Sequence, residues 1–151
     1  MLPKFLKAII LVLFTSALSL NAQGLSFEEE ILNEVNIYRQ SKGLKPLINN
    51  AMLSQIAQKH SRDMALGKVS FGHGGFKKRV KKIEKTIGLG ATAENVAYGY
   101  SSAKELVQGW INSPGHRKNM EGDYEFSGIG IFQSKKGVPF FTHLFYTPIG
   151  Y

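Results

Sequence analysis

Two stretches in the first half of the chain repeat their apolar residues every three or four positions, which is the period of an amphipathic helix. The first begins after Ser26, which forms a capping box with Glu29, and ends before Gly43. Its apolar positions are Phe27, Ile31, Leu32, Val35 and Tyr38. The second follows the N-cap residue Asn50 and ends near Gly67. Its inward positions are Leu53, Ile56, Ala57, His60 and Met64.

Two more helices are predicted further along the chain. A thin apolar stripe indicates a helix over residues 76–86, followed by glycines that end it. The members of this stripe are Phe76, Val80 and Ile83. A fourth helix carries Trp110 on its apolar face and stops before Pro114, because a residue that precedes proline disfavours helical geometry. Residues 115–120 are then expected to form a turn.

The last third of the chain changes to the pattern of β-strands. Residues 126–132 and 138–146 are rich in aromatic and β-branched residues, and the turn residues 135–137 separate them. The second of these strands is apolar on both faces, which predicts a central position in a sheet. Residues 93–100 are expected to be extended or looped. Helices followed by strands indicate an α+β fold.

The first 22 residues have the features of a secretory signal peptide. Lys4 and Lys7 precede an apolar run, and small and polar residues follow it up to Ala22. An uncleaved membrane anchor is the weaker alternative, because serine and threonine interrupt the run before the ~20 apolar residues that a bilayer requires. We therefore expect a signal peptide over residues 1–22 and one domain over residues 23–151, without a transmembrane segment in the mature chain. The protein is expected to be secreted or periplasmic.

The chain is basic and lacks cysteine. Its formal net charge is +8 and falls to +6 when Lys4 and Lys7 are removed with the signal peptide. Without cysteine the chain has neither disulfides nor a lipid-modified cysteine, so packing must stabilise the fold. Much of the positive charge lies in the predicted third helix, which is either a solvated helix face or a candidate basic surface for anionic partners. Its members are Lys77, Lys78, Arg79, Lys81, Lys82 and Lys85.

Three residues are candidates for chemistry. His73 and His116 lie in glycine-containing turns where a side chain can face a cleft, and Glu94 lies in an otherwise apolar segment. Two imidazoles and one carboxylate are the ligand set of several catalytic zinc sites. However, the chain has no HExxH helix, no cysteine, no GxSxG segment and no phosphate-binding glycine loop. Alternatively, Glu94 accepts hydrogen bonds from both histidines and only holds three loops together. If both imidazoles pair with Glu94, their pKa values should be raised.

Three segments together resemble a known family. They are FGHGGF around His73, AENVAYG around Glu94 and WINSPGHRKNM from Trp110. In this order they resemble the bacterial branch of the CAP superfamily, the cysteine-rich secretory, antigen 5 and pathogenesis-related 1 proteins, also called SCP-like domains. The resemblance covers residues 27–146. It implies a three-layer α-β-α sandwich, with a small antiparallel sheet between helices and a cleft lined by histidine and glutamate.

The resemblance also implies roles for individual residues. His73, Glu94 and His116 match the cleft residues of the family, and Asn95 and Asn119 match polar supports of the adjoining loops. His143 is a further candidate support, because it stands at the glutamine position of a GHYTQ segment in eukaryotic members. Two cleft residues of those members are replaced in this chain, a glutamate by Ser113 and a histidine by Phe140.

Three functions follow from these observations. The favoured one is a secreted, non-enzymatic CAP module that binds a ligand such as a lipid or sterol, or an envelope or host component. The second is a metal-dependent hydrolase that uses His73, Glu94 and His116, with zinc or another divalent cation held by the two histidines. The third is a cationic surface adhesin that binds an anionic envelope polymer through the lysine-rich helix. Nucleic acid is disfavoured as a partner on compartment grounds, a monomer is expected, and enzymatic activity stays open.

Overall fold

The computed structural model describes residues 24–150, so the predicted signal peptide over residues 1–22 lies outside the described residues. The elements in chain order are α1 (Phe27–Ser41), β1 (Ile48–Asn49), α2 (Ala51–Ala65), α3 (Phe76–Ile87), β2 (Gly90–Tyr98), α4 (Ala103–Asn112), α5 (Pro114–Met120), β3 (Phe126–Gln133) and β4 (Pro139–Pro148). Within residues 24–150, no helix has the length and apolar character needed to cross a membrane.

The helices cover both faces of one four-stranded sheet, whose order is β1-β3-β4-β2. Along β4, Phe141 and Phe145 join the core formed with α1 and α4, whereas Leu144 and Tyr146 join a second core with α2 and α3. This alternation follows from the two-residue period of a strand, which sends successive side chains to opposite faces. The predicted three-layer α+β sandwich is confirmed, and β4 has the predicted central position.

The sheet is mixed, which corrects the expectation of a wholly antiparallel sheet. β1 pairs in parallel with β3, with Ile48 opposite Phe126 and Asn49 opposite Ser127. The chain passes here from α1 on one face to α2 on the other, and it forms hydrogen bonds with β3 at the edge as it crosses. The backbone N–H of Asn50 donates to the Ser127 carbonyl at 2.8 Å.

Residues 114–120 form helix α5, where the sequence predicted a turn. Proline ends a helix at the residue before it, but it also fits the first helical position, where its missing N–H has no partner to lose. Pro114 occupies that position in α5. Ser113 therefore ends α4 and begins α5, and the chain bends without a connecting loop.

Two glycines bring α2 against β3. A Cβ atom on Gly128 would lie 2.2 Å from the Ser54 backbone nitrogen, and one on Gly130 would lie 2.0 Å from that of Gln58. Such approaches leave room only for hydrogen at these positions. The contact also lets the Gln58 side chain accept a hydrogen bond from the Ile131 N–H at 2.8 Å.

Candidate functional site

Arg79 and Glu94 form a buried ion pair between α3 and β2. Arg79 Nε donates to Glu94 Oε2 at 2.7 Å, and Arg79 Nη2 donates to Glu94 Oε1 at 2.6 Å. The Glu94 side chain is 1% exposed and that of Arg79 is 12% exposed. A planar guanidinium that binds both oxygens of one carboxylate is the strongest form of this pair. The acid therefore faces an internal cation.

Arg79 does not belong to the basic surface with which the sequence analysis grouped it. The sequence contained the signal: Arg79 lies three residues after Phe76 and four before Ile83, which places it on the inward stripe of α3. The other five members of the predicted basic surface are exposed. The hydrophobic period was a better guide to the direction of this side chain than its charge.

His60 completes the hydrogen bonding of Arg79. Arg79 Nη1 donates to the Gly74 carbonyl at 2.8 Å and lies 3.1 Å from His60 Nδ1. Because a guanidinium can only donate, Nδ1 accepts, and Nε2 carries the proton that binds the Gly72 carbonyl at 2.8 Å. Burial lowers the pKa of His60, which favours this neutral form, although the Gly72 carbonyl opposes the shift. The sequence placed His60 inward but did not link it to Glu94, whose Oε1 lies 4.0 Å from His60 Nε2.

His73 lies at the solvent side of the same network. Its Nδ1 lies 3.0 Å from Glu94 Oε1 and donates to it, since a carboxylate only accepts. The side chain is 52% exposed. The structure thus brings His73 and Glu94 together, as the sequence predicted, and places Arg79 beside them.

His116 is near this network but does not join it. It is half-buried on α5, and no hydrogen bond connects it with Glu94 within the described residues. Burial lowers the pKa of His116, and the neighbouring His73 lowers it further. The condition for a raised pKa, a pairing with Glu94, is therefore not met at His116.

Asn95 and Asn119 connect α5 with β2. Asn95 Nδ2 donates to the His116 carbonyl at 3.1 Å. Asn119 Nδ2 donates to the Glu94 carbonyl at 3.1 Å and to Asn95 Oδ1 at 2.9 Å. The two amides tie the backbone of both candidate residues together, so the position of His116 depends on β2.

An open cleft of about 480 Å³ lies beside the network, between the end of β2 and α4. Trp110 and Tyr100 contribute aromatic walls, and Ser113 and His116 contribute polar groups. Phe71 and Tyr98 also line it, and they are 49% and 55% exposed. Their ring centroids are 4.9 Å apart, and the Phe140 ring stacks on Tyr98 at 5.6 Å. We call these three residues, Phe71, Tyr98 and Phe140, the aromatic rim.

His143 does not face the cleft. It is fully buried, with its ring 4.0 Å from that of Phe145 and 5.8 Å from that of Trp110. Neither ring nitrogen has a hydrogen-bond partner within residues 24–150. Burial lowers its pKa to about 3, and the positive charge of Arg39 acts in the same direction. His143 is therefore a neutral packing residue behind Trp110.

The model of the cysteine-rich secretory protein family, CAP, matches residues 32–145. The chain belongs to the CAP family. A curated relative, the uncharacterized membrane protein YlbC of Bacillus subtilis, is 34% identical over 109 residues, which are 69% of this chain and 31% of that protein. The chain spans less than half the length of the curated relatives that it matches.

Solved structures show the same fold. An extracellular protein of Bacillus anthracis that contains an SCP domain is 26% identical, with a TM-score of 0.66, over 82% of this chain and 44% of that one. An outer surface protein of Borrelia burgdorferi is 19% identical, with a TM-score of 0.69, over 84% of this chain and 98% of that one. Structural neighbours of this CAP domain thus include extracellular and outer surface proteins.

The side chains of this CAP domain, as they are placed, do not fit a divalent metal ion. Both Glu94 oxygens bind Arg79, so the carboxylate already faces a positive charge. Across residues 24–150, no three histidine, aspartate or glutamate side chains are grouped so that they could hold a metal. Phe140, which the resemblance matches to a histidine of eukaryotic members, belongs to the aromatic rim.

Proposed function

We propose that this CAP domain is an exported, non-enzymatic module that binds an amphipathic ligand, a lipid or sterol, in the cleft beside Trp110. The observation that carries the proposal is the cleft itself, with aromatic walls and an exposed aromatic rim. Small-molecule sites are typically concave and mostly apolar, with a few polar groups that orient the ligand. Ser113 and His116 supply such groups here.

The ion-pair network supports binding over catalysis. A general acid or base must be free to exchange a proton with a substrate. Glu94 is held by Arg79 and His73, and His60 is held by Arg79 and the Gly72 carbonyl. These groups join α2, α3 and β2 to one another, and none of them lines the cleft.

Export rests on two observations. The sequence of residues 1–22 has the three-part pattern of a secretory signal. Extracellular and outer surface proteins share the fold. We therefore place residues 23–151 outside the cytoplasm, in the periplasm or the medium, as one CAP domain.

Trp110 provides the test, because it is the only tryptophan in the chain and lines the cleft. The probe is cis-parinaric acid, a fluorescent fatty acid that accepts energy from tryptophan. We expect saturable transfer from Trp110 to the probe. Replacing Tyr98→Ala or Phe71→Ala should weaken binding by about tenfold, because each removes roughly 1.5 kcal/mol of aromatic contact.

The matched control is Leu89→Ala. Leu89 is also an exposed apolar residue, at 55%, but it lies outside the cleft. Binding should be unchanged in this variant. Equal affinities in wild type and in the Tyr98 and Phe71 variants would exclude the cleft as the binding site. Native mass spectrometry of protein purified from its own host would then identify the natural ligand by its mass.

The exposed lysines of α3 favour a second candidate function, adhesion to an anionic envelope polymer. Within residues 24–150, none of these five side chains has an ion-pair partner. They are Lys77, Lys78, Lys81, Lys82 and Lys85. Unpaired cations on one helix attract anionic surfaces through a field that salt screens.

Retention on an immobilised anionic wall polymer tests this function. It should fall steeply with ionic strength, and the triple change of Lys77, Lys81 and Lys85 to glutamine should abolish it. Changing Lys135 and Lys136 to glutamine, in the turn between β3 and β4, is the control. Retention that does not depend on salt would contradict electrostatic adhesion.

A further inference from the structure

The edge of the sheet opposite the cleft is only partly covered. β1 pairs with β3 at Phe126 and Ser127 alone, whereas β3 continues to Gln133. In the sheet order β1-β3-β4-β2, the inner side of β3 pairs with β4. The cleft lies at β2, on the opposite edge of the sheet. Among residues 24–150, no strand therefore pairs with the outer side of residues 128–133.

The backbone of Ile129 points out from this edge. In an antiparallel pair, alternate residues direct both the N–H and the C=O group to the same side. The Ser127 carbonyl points away from β4 and accepts a hydrogen bond from the Asn50 N–H. The Ile131 N–H also points away from β4 and donates to Gln58 Oε1. Ile129 lies between these two residues and has the same orientation. An unpaired edge of this kind is a template for another strand.

A groove of about 850 Å³ lies over this edge, with Ile129 at its base. Leu32 and Asn33 of α1 form one wall, and Gln55 and Gln58 of α2 form the other. Because residues of α1 and α2 wall the groove on both sides, a second sheet cannot approach Ile129. A second copy of the chain is excluded for the same reason, since its own edge is recessed between its own helices. A single extended chain fits.

The groove also differs in charge from the rest of the molecule. The chain has a net charge of +8, yet the charged residues that line the groove are Glu28 and Glu29. Asn33 and Gln55 carry carboxamides, each of which can donate to and accept from a peptide group. Glu28 is the freer acid, because Glu29 accepts the Ser26 N–H of the capping box.

From these observations we infer that the groove binds an extended peptide with basic side chains, which adds a strand to the outer side of β3. Main-chain hydrogen bonds to Ile129 supply the affinity, and alternate side chains supply specificity. Glu28 attracts a lysine or arginine of the peptide, and Leu32 packs against an apolar side chain. This site is separate from the proposed ligand cleft, at the opposite edge of the sheet.

The probe for the test is a fluorescein-labelled hexapeptide of alternating lysine and valine, acetylated and amidated at its ends. Fluorescence anisotropy with the full chain measures its affinity. We expect binding that weakens about tenfold or more when every peptide N–H is N-methylated, because the peptide can then no longer donate to the Ile129 carbonyl and its methyl groups prevent close approach to β3. The same peptide with glutamate in place of lysine should bind more weakly. Hydrogen exchange at the Ile129 amide should slow when the peptide is added.

Two pairs of variants locate the peptide. Glu28→Lys should weaken binding by about fivefold, whereas Glu30→Lys, in the same helical turn but outside the groove, should not. Gln55→Trp should fill the groove and abolish binding. Lys59→Trp, one turn further along α2 and outside the groove, is its control.

Three results would overturn the inference. The first is unchanged peptide affinity in the Gln55→Trp variant. The second is unchanged exchange at Ile129 when the peptide is saturating. The third is a dimer in sedimentation that the Gln55→Trp change dissociates, because the occupant would then be a second copy. None of these results depends on ligand binding beside Trp110, so the cleft proposal stands or falls separately.

Discussion

Arg79 Nε and Nη2 bind the two oxygens of Glu94 at 2.7 and 2.6 Å, so a helix and an edge strand are joined by a charge pair that solvent barely reaches. Burying either charge alone would be costly, because the protein interior solvates ions poorly. The pair therefore fixes where α3 lies against β2. It also sets the orientation of His60 and His73, which bind Arg79 and Glu94 respectively.

Removing the guanidinium should destabilise the fold. In Arg79→Gln the Glu94 carboxylate loses its counter-charge, and we expect a loss of about 3–5 kcal/mol in the free energy of unfolding at pH 7. Urea denaturation followed by circular dichroism measures this loss. The double variant Arg79→Gln and Glu94→Gln should recover part of it, because no unpaired charge then remains.

Lys82→Gln is the control for the Arg79 change. It removes a positive charge from the same helix at an exposed position, so the free energy of unfolding should change by less than about 0.5 kcal/mol. If Arg79→Gln proves as mild as Lys82→Gln, then the ion pair does not hold α3 against β2.

Zinc should not stabilise the wild-type protein, because Arg79 occupies both Glu94 oxygens. We expect the same melting temperature in EDTA and in equimolar zinc, since only an ion that binds the native state raises stability. Differential scanning calorimetry checks this. Stoichiometric zinc binding that disappears in both His73→Ala and Glu94→Gln would instead support the metal-dependent hydrolase.

The sequence predicted most helices and strands because their apolar periods are long and their ends carry standard signals. Ser26 and Asn50 cap helices where the pattern begins, and both caps are present in the structure. Pro114 gives an ambiguous signal, because proline both ends one helix and fits the start of the next. The two-residue strand β1 has too few residues to show any period.

The candidate site was predicted less completely than the fold. His73 and Glu94 are in contact as predicted, since each lies in a segment with a recognisable pattern. Arg79 was missed because five exposed lysines surround it in the sequence, and its direction depends on a partner, Glu94, that is fifteen residues away. A buried ion pair can be predicted only when both partners are known. Neither the hydrophobic period nor the composition of the sequence identifies the second partner.

Gly130 should tolerate no side chain. In Gly130→Ala the new Cβ would lie 2.0 Å from the Gln58 backbone nitrogen, so α2 would have to move away from β3. We expect a loss of about 3 kcal/mol or more in the free energy of unfolding. Guanidinium denaturation measures it, with Gly115→Ala as the control, because no atom of residues 24–150 outside the same turn of α5 lies within 4 Å of a Cβ at that position. A mild effect at Gly130 would show that α2 and β3 can separate without cost.

His143 should make the native state sensitive to acid. Its pKa is about 3 in the folded protein and near 6.5 in the unfolded chain. As pH falls below 6.5, the unfolded state takes up a proton that the native state cannot, so the free energy of unfolding falls until pH approaches 3. The substitution His143→Phe removes this proton uptake by the unfolded state and keeps an aromatic ring against Phe145.

The free energy of unfolding of the variant, taken relative to that of wild type, should therefore rise by about 2 kcal/mol when the pH falls from 7 to 4.5. Urea denaturation at both pH values measures the difference, in which the contributions of His60 and His116 cancel because both proteins contain them. Phe145→Leu is the control, since it alters the same cluster without a titrating group, and its effect should be equal at the two pH values. An equal effect of His143→Phe at both values would mean that the ring can be protonated within the fold, so that water or a donor reaches it despite its burial behind Trp110.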